Sequence, residues 1–166
     1  PAGEERMIPS HRSIAEYLAA RWLAKRIDSK GLPLGRLLNL LLAQDQGVVA
    51  GLRGLYGWLA LHCLRARSAL IDADPLTVIV YGDPAPMGVA DKRQLLNALY
   101  EKTKNFRGFR WDDRAPHTYG ALADPQLKPE FLDILQSQKR DETTEAYALC
   151  VLDILANGHP IEELKE

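Results

Sequence analysis

The sequence predicts an all-α fold of stacked antiparallel helices, forming an irregular HEAT-like α-solenoid or superhelical arm. Apolar residues recur at the spacing of amphipathic helices through most of the 166 residues. Short turns containing Gly or Pro separate these stretches. Only residues 77–81 are rich in β-branched residues and could form a strand. Because a single strand would have no partner, we predict a short helix there.

The first predicted helix covers residues 13–28, and Gly31 ends the segment. Ser13 and Glu16 have the spacing of a capping box, in which two side chains bond reciprocally to free backbone N–H groups at the helix start. The apolar stripe of this helix consists of Ile14, Leu18 and Trp22.

A second helix is predicted from Pro33 and a third from Val48. Gly51, Gly54 and Gly57 lie in the third helix at a spacing of three residues. Each glycine costs about 1 kcal/mol of helix propensity relative to Ala. We therefore predict that a neighbouring helix approaches this glycine face closely. The apolar stripe of the second helix consists of Leu34, Leu37, Leu38, Leu41 and Leu42.

Further helices are predicted in the second half of the chain. Asp74 and Asp124 each precede a proline, which is the pattern of an N-cap followed by the first helical residue. A helix is expected near residues 90–104, and residues 105–120 are the least regular part of the sequence. The last complete helix ends at Gly158.

Composition places the chain among soluble globular proteins. Apolar residues make up 46% of it, and 21 basic residues nearly balance 22 acidic ones. Cys63 and Cys150 lie within apolar helical patterns, so we predict two reduced, buried cysteines. No apolar run approaches the roughly 20 residues of a membrane span. We therefore predict a cytoplasmic protein that has no membrane partner.

The sequence contains no recognisable catalytic motif. The phosphate-binding and dinucleotide-binding glycine patterns are absent, and no Cys/His cluster has zinc spacing. The pairs of neighbouring acids are interpreted as helix caps and solvated faces. Of the scattered histidines, His62 is interpreted as a core or groove residue. We predict that the chain is not an enzyme. The acid pairs are Asp72/Asp74, Asp112/Asp113 and Glu162/Glu163, and the other histidines are His11, His117 and His159.

A nucleic-acid site is an alternative for residues 92–111, where aromatic side chains alternate with basic ones. Acidic residues flank this stretch, and the net charge of the chain is −1. Both observations argue against a nucleic-acid partner. The residues concerned are Lys92, Arg93, Lys102, Lys104, Arg107 and Arg110, with Phe106, Phe109 and Trp111.

Residues 11–24, HRSIAEYLAARWLA, resemble the signature that closes the winged-helix region of NACHT-type STAND NTPases, which include NOD-like receptors and large bacterial NTPases. Downstream blocks at residues 51–55 with 58–60, 74–75 with 81–83, and 91–93 resemble the helical region that follows this signature. The resemblance implies that residues 1–30 are the last helix of a winged-helix-like region. It implies that residues 31–166 form a helical arm packed as one unit, in a fragment truncated at both ends.

In that family the parent protein binds ATP or ADP with Mg²⁺, and the winged-helix histidine contacts the phosphates in the ADP-bound state. Only His11 matches this role, whereas Glu16 and Tyr17 match positions expected to serve capping and packing. Because the P-loop is missing from this chain, we expect no cofactor in the fragment itself. Alternatively, His11 simply precedes a helix and hydrogen-bonds to the backbone.

The resemblance implies a non-catalytic regulatory segment that couples the nucleotide state of a signal-transduction NTPase to a helical sensor arm. Its expected partners are the upstream NTPase domain of the same chain and an unknown protein ligand. The alternative is a free-standing α-helical scaffold that binds a protein or peptide on a concave face.

Overall fold

The computed structural model describes residues 11–43, 47–105, 116–137 and 141–161. Across these ranges the chain is helical and has no β-strand, which confirms the all-α prediction. The HEAT-like solenoid stays a prediction. The α-helices are α1 Arg12–Lys30, α2 Leu34–Leu41, α3 Arg53–His62, α4 Leu64–Ala73, α5 Pro75–Tyr81, α6 Val89–Asn105, α7 Pro116–Tyr119, α8 Lys128–Gln136 and α9 Glu142–Asn157, with 3₁₀ turns at Ala50–Leu52, Gly120–Leu122 and Pro125–Leu127.

Helix α3 is central to the first half of the fold, where α1, α4 and α5 pack around it. Two of its glycines permit this packing. A Cβ atom on Gly57 would lie 2.4 Å from the backbone nitrogen of Gly82, and one on Gly54 would lie 2.0 Å from the Glu16 carboxylate. The predicted close approach is therefore confirmed at Gly54 and Gly57, whereas Gly51 has open space around it.

Polar side chains join α3 to α4, and α4 to α6. The Arg67 guanidinium on α4 donates to the backbone oxygens of Ala60 and Leu61 at the end of α3, and also to the Asp91 carboxylate on α6. These bonds satisfy carbonyl groups that have no partner within the helix. Tyr56 is fully buried and donates its hydroxyl to the backbone oxygen of Leu70 at 2.7 Å.

Helix α9 is central to the second half, where α6, α7 and α8 pack against it. Its buried Tyr147 donates a hydrogen bond of 3.0 Å to the backbone oxygen of Leu96 on α6. The buried residues of both halves form a continuous hydrophobic cluster. Cys63 and Cys150 are buried within it as reduced thiols, as predicted.

The helix boundaries correct two details of the sequence analysis. Ser13 and Glu16 do not form a capping box: α1 begins at Arg12, and Glu16 instead pairs with Arg12 one turn earlier. The third helix begins at Arg53 rather than at Val48. This is because the backbone near Val48 forms an antiparallel bridge to Leu42. A capping box does form at the start of α9, between Asp141 and Thr144.

Other local predictions are confirmed. Residues 77–81 are helical and belong to α5. The Asp74 carboxylate accepts a hydrogen bond from the backbone N–H of Thr77, and Asp124 accepts one from Gln126. Gly31 ends α1 with a left-handed φ of 62°, a conformation that costs glycine little. In the described ranges, none of the helices combines the length and apolar character needed to cross a bilayer.

Candidate interaction surface

Helix α1 has two apolar faces, and only one of them is buried. Ala20, Ala24 and Ile27 belong to the buried core, on the helix that packs chiefly against α3. Ile14, Leu18 and Trp22 repeat every four residues along another face, and their exposed fractions are 51%, 52% and 55%. We call these three residues the outer stripe. Its exposure differs from the usual amphipathic pattern, in which the large apolar residues face the core.

An aromatic cluster fixes how α1 is seated on α3. The Tyr17 ring lies edge-on to Trp58 at 5.2 Å and to His62 at 4.9 Å, measured between ring centroids. Trp58 and His62 are one turn apart on α3, and their rings stack at 6.5 Å. Perpendicular aromatic pairs contribute about 0.5–1.5 kcal/mol each beyond the burial of area. The cluster therefore holds α1 in the rotation that turns the outer stripe to solvent.

His62 is half-buried in this cluster, as predicted for a core or groove histidine. Its Nε2 atom is buried without a hydrogen-bond partner in the described part of the chain. Burial lowers the pKa of His62, and the nearby positive charge of Arg21 lowers it further. A neutral imidazole suits a position between two aromatic rings and close to a guanidinium. His62 therefore contributes to the packing of α1 on α3.

Arginine side chains flank the outer stripe. The Arg26 guanidinium lies 4.8 Å from the centroid of the Trp22 ring, a cation–π geometry. Near the start of the helix, Arg12 bonds to Glu16 at 2.8 Å and donates to the backbone oxygen of Gly51 at 2.8 Å. Tryptophan and arginine are the residue types most enriched in the central contacts of protein interfaces. The arrangement is suited to binding another protein surface.

His11 lies at the N-cap position of α1, three residues before Ile14, and its side chain is exposed. Its backbone oxygen accepts hydrogen bonds from the N–H groups of Ile14 and Ala15 at 3.2 and 3.3 Å, but its side chain makes no capping bond. The residue thus stands at the N-terminal end of the outer stripe, where the helix dipole is positive. An imidazole at this place could contact a phosphate only if other groups completed the site.

Three cations in the described part of the basic and aromatic stretch form ion pairs within the molecule. Lys92 is buried and pairs with Asp124 at 3.3 Å, while Arg93 pairs with Glu130. Lys104 pairs with Glu101 at 2.7 Å. Cations that are already paired are poorly placed to neutralise phosphates. Phe106, Arg107, Phe109, Arg110 and Trp111 lie outside the described residues.

The neighbouring acids that the structure describes have structural roles. Asp72 accepts a hydrogen bond from Gln94, and Asp74 caps α5. Within the described ranges, no cluster of His, Cys, Asp and Glu side chains is arranged to hold a metal ion. Asp112, Asp113, Glu162, Glu163 and the side chain of His117 lie outside the described residues, and His159 is exposed.

The spacing of Ile14, Leu18 and Trp22 predicts the outer stripe but not its exposure. The available signal was the second row on the same helix, Ala20, Ala24 and Ile27, whose small residues allow close packing on α3. Comparison with known proteins adds no assignment to this picture. No known protein family matches the chain, and neither a curated protein nor a solved structure is significantly similar to it.

Proposed function

We propose that this chain is the non-catalytic regulatory helical segment of a NACHT/STAND-type NTPase. In this proposal the outer stripe of α1 packs against the upstream NTPase domain of the same chain. The observation that carries the proposal is that α1 is seated on α3 by one face while Ile14, Leu18 and Trp22 remain half exposed on another. Contiguous exposed apolar residues mark interaction sites in soluble proteins.

The position of His11 supports the same orientation. His11 and the outer stripe follow one another along α1, so a domain that covers the stripe would also reach the imidazole. In the proposal, His11 contacts the phosphates of ADP that the upstream domain binds with Mg²⁺. This chain contributes no P-loop and neither binds nor hydrolyses nucleotide by itself. Reduced Cys63 and Cys150 are consistent with a cytoplasmic location.

Helix α1 would transmit the nucleotide state mechanically. Its 19 residues correspond to a rod of about 28 Å at 1.5 Å per residue. The Tyr17, Trp58 and His62 cluster ties this rod to α3, so a movement of its first turn would be passed to the arm. The phosphate charge would bias two packings of α1, as in other switches that amplify a local change.

The test uses the protein extended upstream to its natural start and measures the nucleotide released on denaturation. We expect tightly retained ADP in the unsubstituted protein. His11→Ala should weaken ADP binding about tenfold to a hundredfold, because a hydrogen bond to a charged group contributes about 1.5–3 kcal/mol. An upstream sequence without a P-loop, or equal ADP content in both proteins, would overturn the proposal.

A second substitution tests the proposed contact between the outer stripe and the upstream NTPase domain. Leu18→Asp places a charge in the proposed apolar contact and should also weaken ADP retention. Leu64→Asp is the matched control, because Leu64 is 73% exposed and lies on α4, away from the outer stripe. Equal ADP retention in the two leucine variants would show that the outer stripe does not contact the nucleotide-binding part.

The free-standing scaffold remains the second candidate function. It is favoured by a separate observation, a groove between α6, α8 and α9, which is analysed below. A natural start close to Pro1, together with peptide binding in this groove, would support the scaffold.

A further inference from the structure

Helices α6, α8 and α9 enclose a groove of about 290 Å³. Its apolar lining includes Leu96 and Tyr100 of α6, Ile134 of α8 and Tyr147 of α9. A smaller recess of about 110 Å³ shares Ile134 and continues the groove along α9. We call the two together the α8–α9 groove. Its main volume is near the lower end of the range for ligand pockets, and it can receive one large side chain.

The charged groups along this groove are mainly acidic. Glu130, Asp133 and Glu145 contribute carboxylates to the described lining, against one guanidinium from Arg93. That guanidinium is already bonded to one oxygen of Glu130. The other Glu130 oxygen is buried and has no hydrogen-bond partner within the described residues. The hydrogen bond from Arg93 lowers the pKa of Glu130, so this carboxylate is ionised at neutral pH.

Three carboxylates against one guanidinium give the described lining an excess of negative charge, which would attract a cationic side chain. Asp133 is three residues after Glu130 on α8 and is exposed, so its carboxylate is open to such a cation. Ile134 follows directly and lies beside the apolar volume. An acidic edge and an apolar recess therefore adjoin each other on α8.

We propose that the α8–α9 groove binds a peptide segment of a partner protein that carries a large apolar residue next to Lys or Arg. The apolar side chain occupies the recess between Leu96, Tyr100 and Ile134, and the cation pairs with the exposed Asp133 carboxylate beside Glu130. Leu152 of α9 lines the smaller recess and is half exposed, which extends the apolar surface. This inference goes beyond the proposed function and does not depend on it.

An array of 12-residue peptides tests the proposal by fluorescence anisotropy. Each peptide carries Leu, Met, Phe or Trp beside Lys or Arg, and a matched set carries Glu in place of the cation. We expect some basic peptides to bind and their acidic counterparts to bind at least tenfold more weakly. If no basic peptide binds, or if the acidic set binds equally well, the proposal is overturned.

Charge reversal on the protein locates the site. Asp133→Lys should weaken binding of the best basic peptide at least tenfold. This exposed position lies near the C-terminal end of α8, where a cation suits the helix dipole, so folding should be retained. Asp28→Lys on α1 makes the same change of charge at another exposed site and should leave binding unchanged. Equal binding by the two variants would place the peptide elsewhere and overturn the proposal.

A second copy of this chain must be distinguished from a peptide as the molecule that fills the α8–α9 groove. Sedimentation velocity over a range of concentrations should show a monomer whose state Asp133→Lys does not change. A dimer that Asp133→Lys dissociates would show that the groove is an interface between copies, and would overturn the peptide assignment.

Discussion

Substituting Gly51, Gly54 and Gly57 separately by alanine tests how α3 is packed. The three residues have the same spacing and lie at the start of or within the same helical segment, but their surroundings differ. An added methyl group would meet open space at Gly51, a flexible carboxylate at Gly54 and backbone atoms of Tyr81 and Gly82 at Gly57. The structure therefore predicts three different effects on the free energy of unfolding.

The magnitude at Gly57 follows from a distance. A Cβ atom there would lie 2.4 Å from the Gly82 nitrogen, whereas ordinary contact begins at 3.4 Å. Helix α3 and the end of α5 would have to separate by about 1 Å, which forfeits a quarter to a half of the local dispersion energy. Overpacking costs about 1–3 kcal/mol, with the upper end appropriate for backbone atoms, and alanine regains about 1 kcal/mol of helix propensity. We expect a net destabilisation of about 2 kcal/mol.

At Gly54 the gain in helix propensity exceeds the opposing cost. The Glu16 carboxylate facing Gly54 can turn away, at the cost of an exposed ion pair with Arg12 that contributes about 0.3–0.5 kcal/mol. Gly54→Ala should therefore stabilise the protein by about 0.5 kcal/mol, because alanine gains about 1 kcal/mol of helix propensity. Gly51 lies in the 3₁₀ turn and nothing lies near the added methyl group, so Gly51→Ala should change the unfolding free energy by less than about 0.5 kcal/mol.

Thermal unfolding followed by circular dichroism at 222 nm measures these differences. A destabilisation of about 2 kcal/mol corresponds to a fall in Tm of roughly 4–8 °C for a domain of this size. Urea unfolding should give the same order of stability with an unchanged m-value. If Gly57→Ala unfolds at the same temperature as Gly51→Ala, the close approach of α3 to Gly82 is refuted.

Three further predictions concern single buried or half-buried groups. Tyr56→Phe removes the hydrogen bond to the Leu70 carbonyl and should cost about 1 kcal/mol in urea unfolding; no loss would show that this bond contributes nothing net. Lys92→Met leaves the Asp124 carboxylate without its cation and should cost about 1–3 kcal/mol, measured in the same way, and equal stability would contradict a structural role for this pair. Burial and then the charge of Arg21 lower the pKa of His62. The stability that the neutral imidazole contributes is therefore complete above the ordinary imidazole pKa of about 6.5, and it is lost as the pH falls below that value. His62→Gln should flatten this part of the stability profile between pH 7 and 5, whereas His159→Gln at an exposed site should not, and identical profiles in the two variants would refute the assignment.

Much of the local structure could be predicted because its causes are local. The cap at Asp74 with its following proline defines the start of α5 through neighbouring residues alone. Gly31 ends α1 because it readily adopts a left-handed conformation. The helical spacing predicts the start of α3 five residues too early, because the bridge between Leu42 and Val48 joins residues on either side of a turn. Helical spacing alone does not reveal such a bridge.

The candidate surfaces depend on contacts between distant residues, which one sequence does not specify. The alternation of basic and aromatic residues from residue 92 onwards allows a nucleic-acid site as an alternative interpretation. Lys92 is instead buried against Asp124, 32 residues further along the chain. The α8–α9 groove likewise combines residues from three helices, so its acidic edge has no signature in the order of residues.

Helix α1 shows why the larger apolar residues need not mark the buried face. The outer stripe would bury more area than Ala20 and Ala24 if it faced the core, and area alone favours that rotation by roughly 25 cal/mol per Å². The small residues permit a closer approach to α3, and the Tyr17 ring gains its contacts with Trp58 and His62 only in the observed rotation. Leaving Ile14, Leu18 and Trp22 exposed therefore costs free energy. A second protein surface that covered these side chains would remove this cost. The apolar area of the outer stripe that stays exposed is the physical reason to look first for a partner on this face of α1.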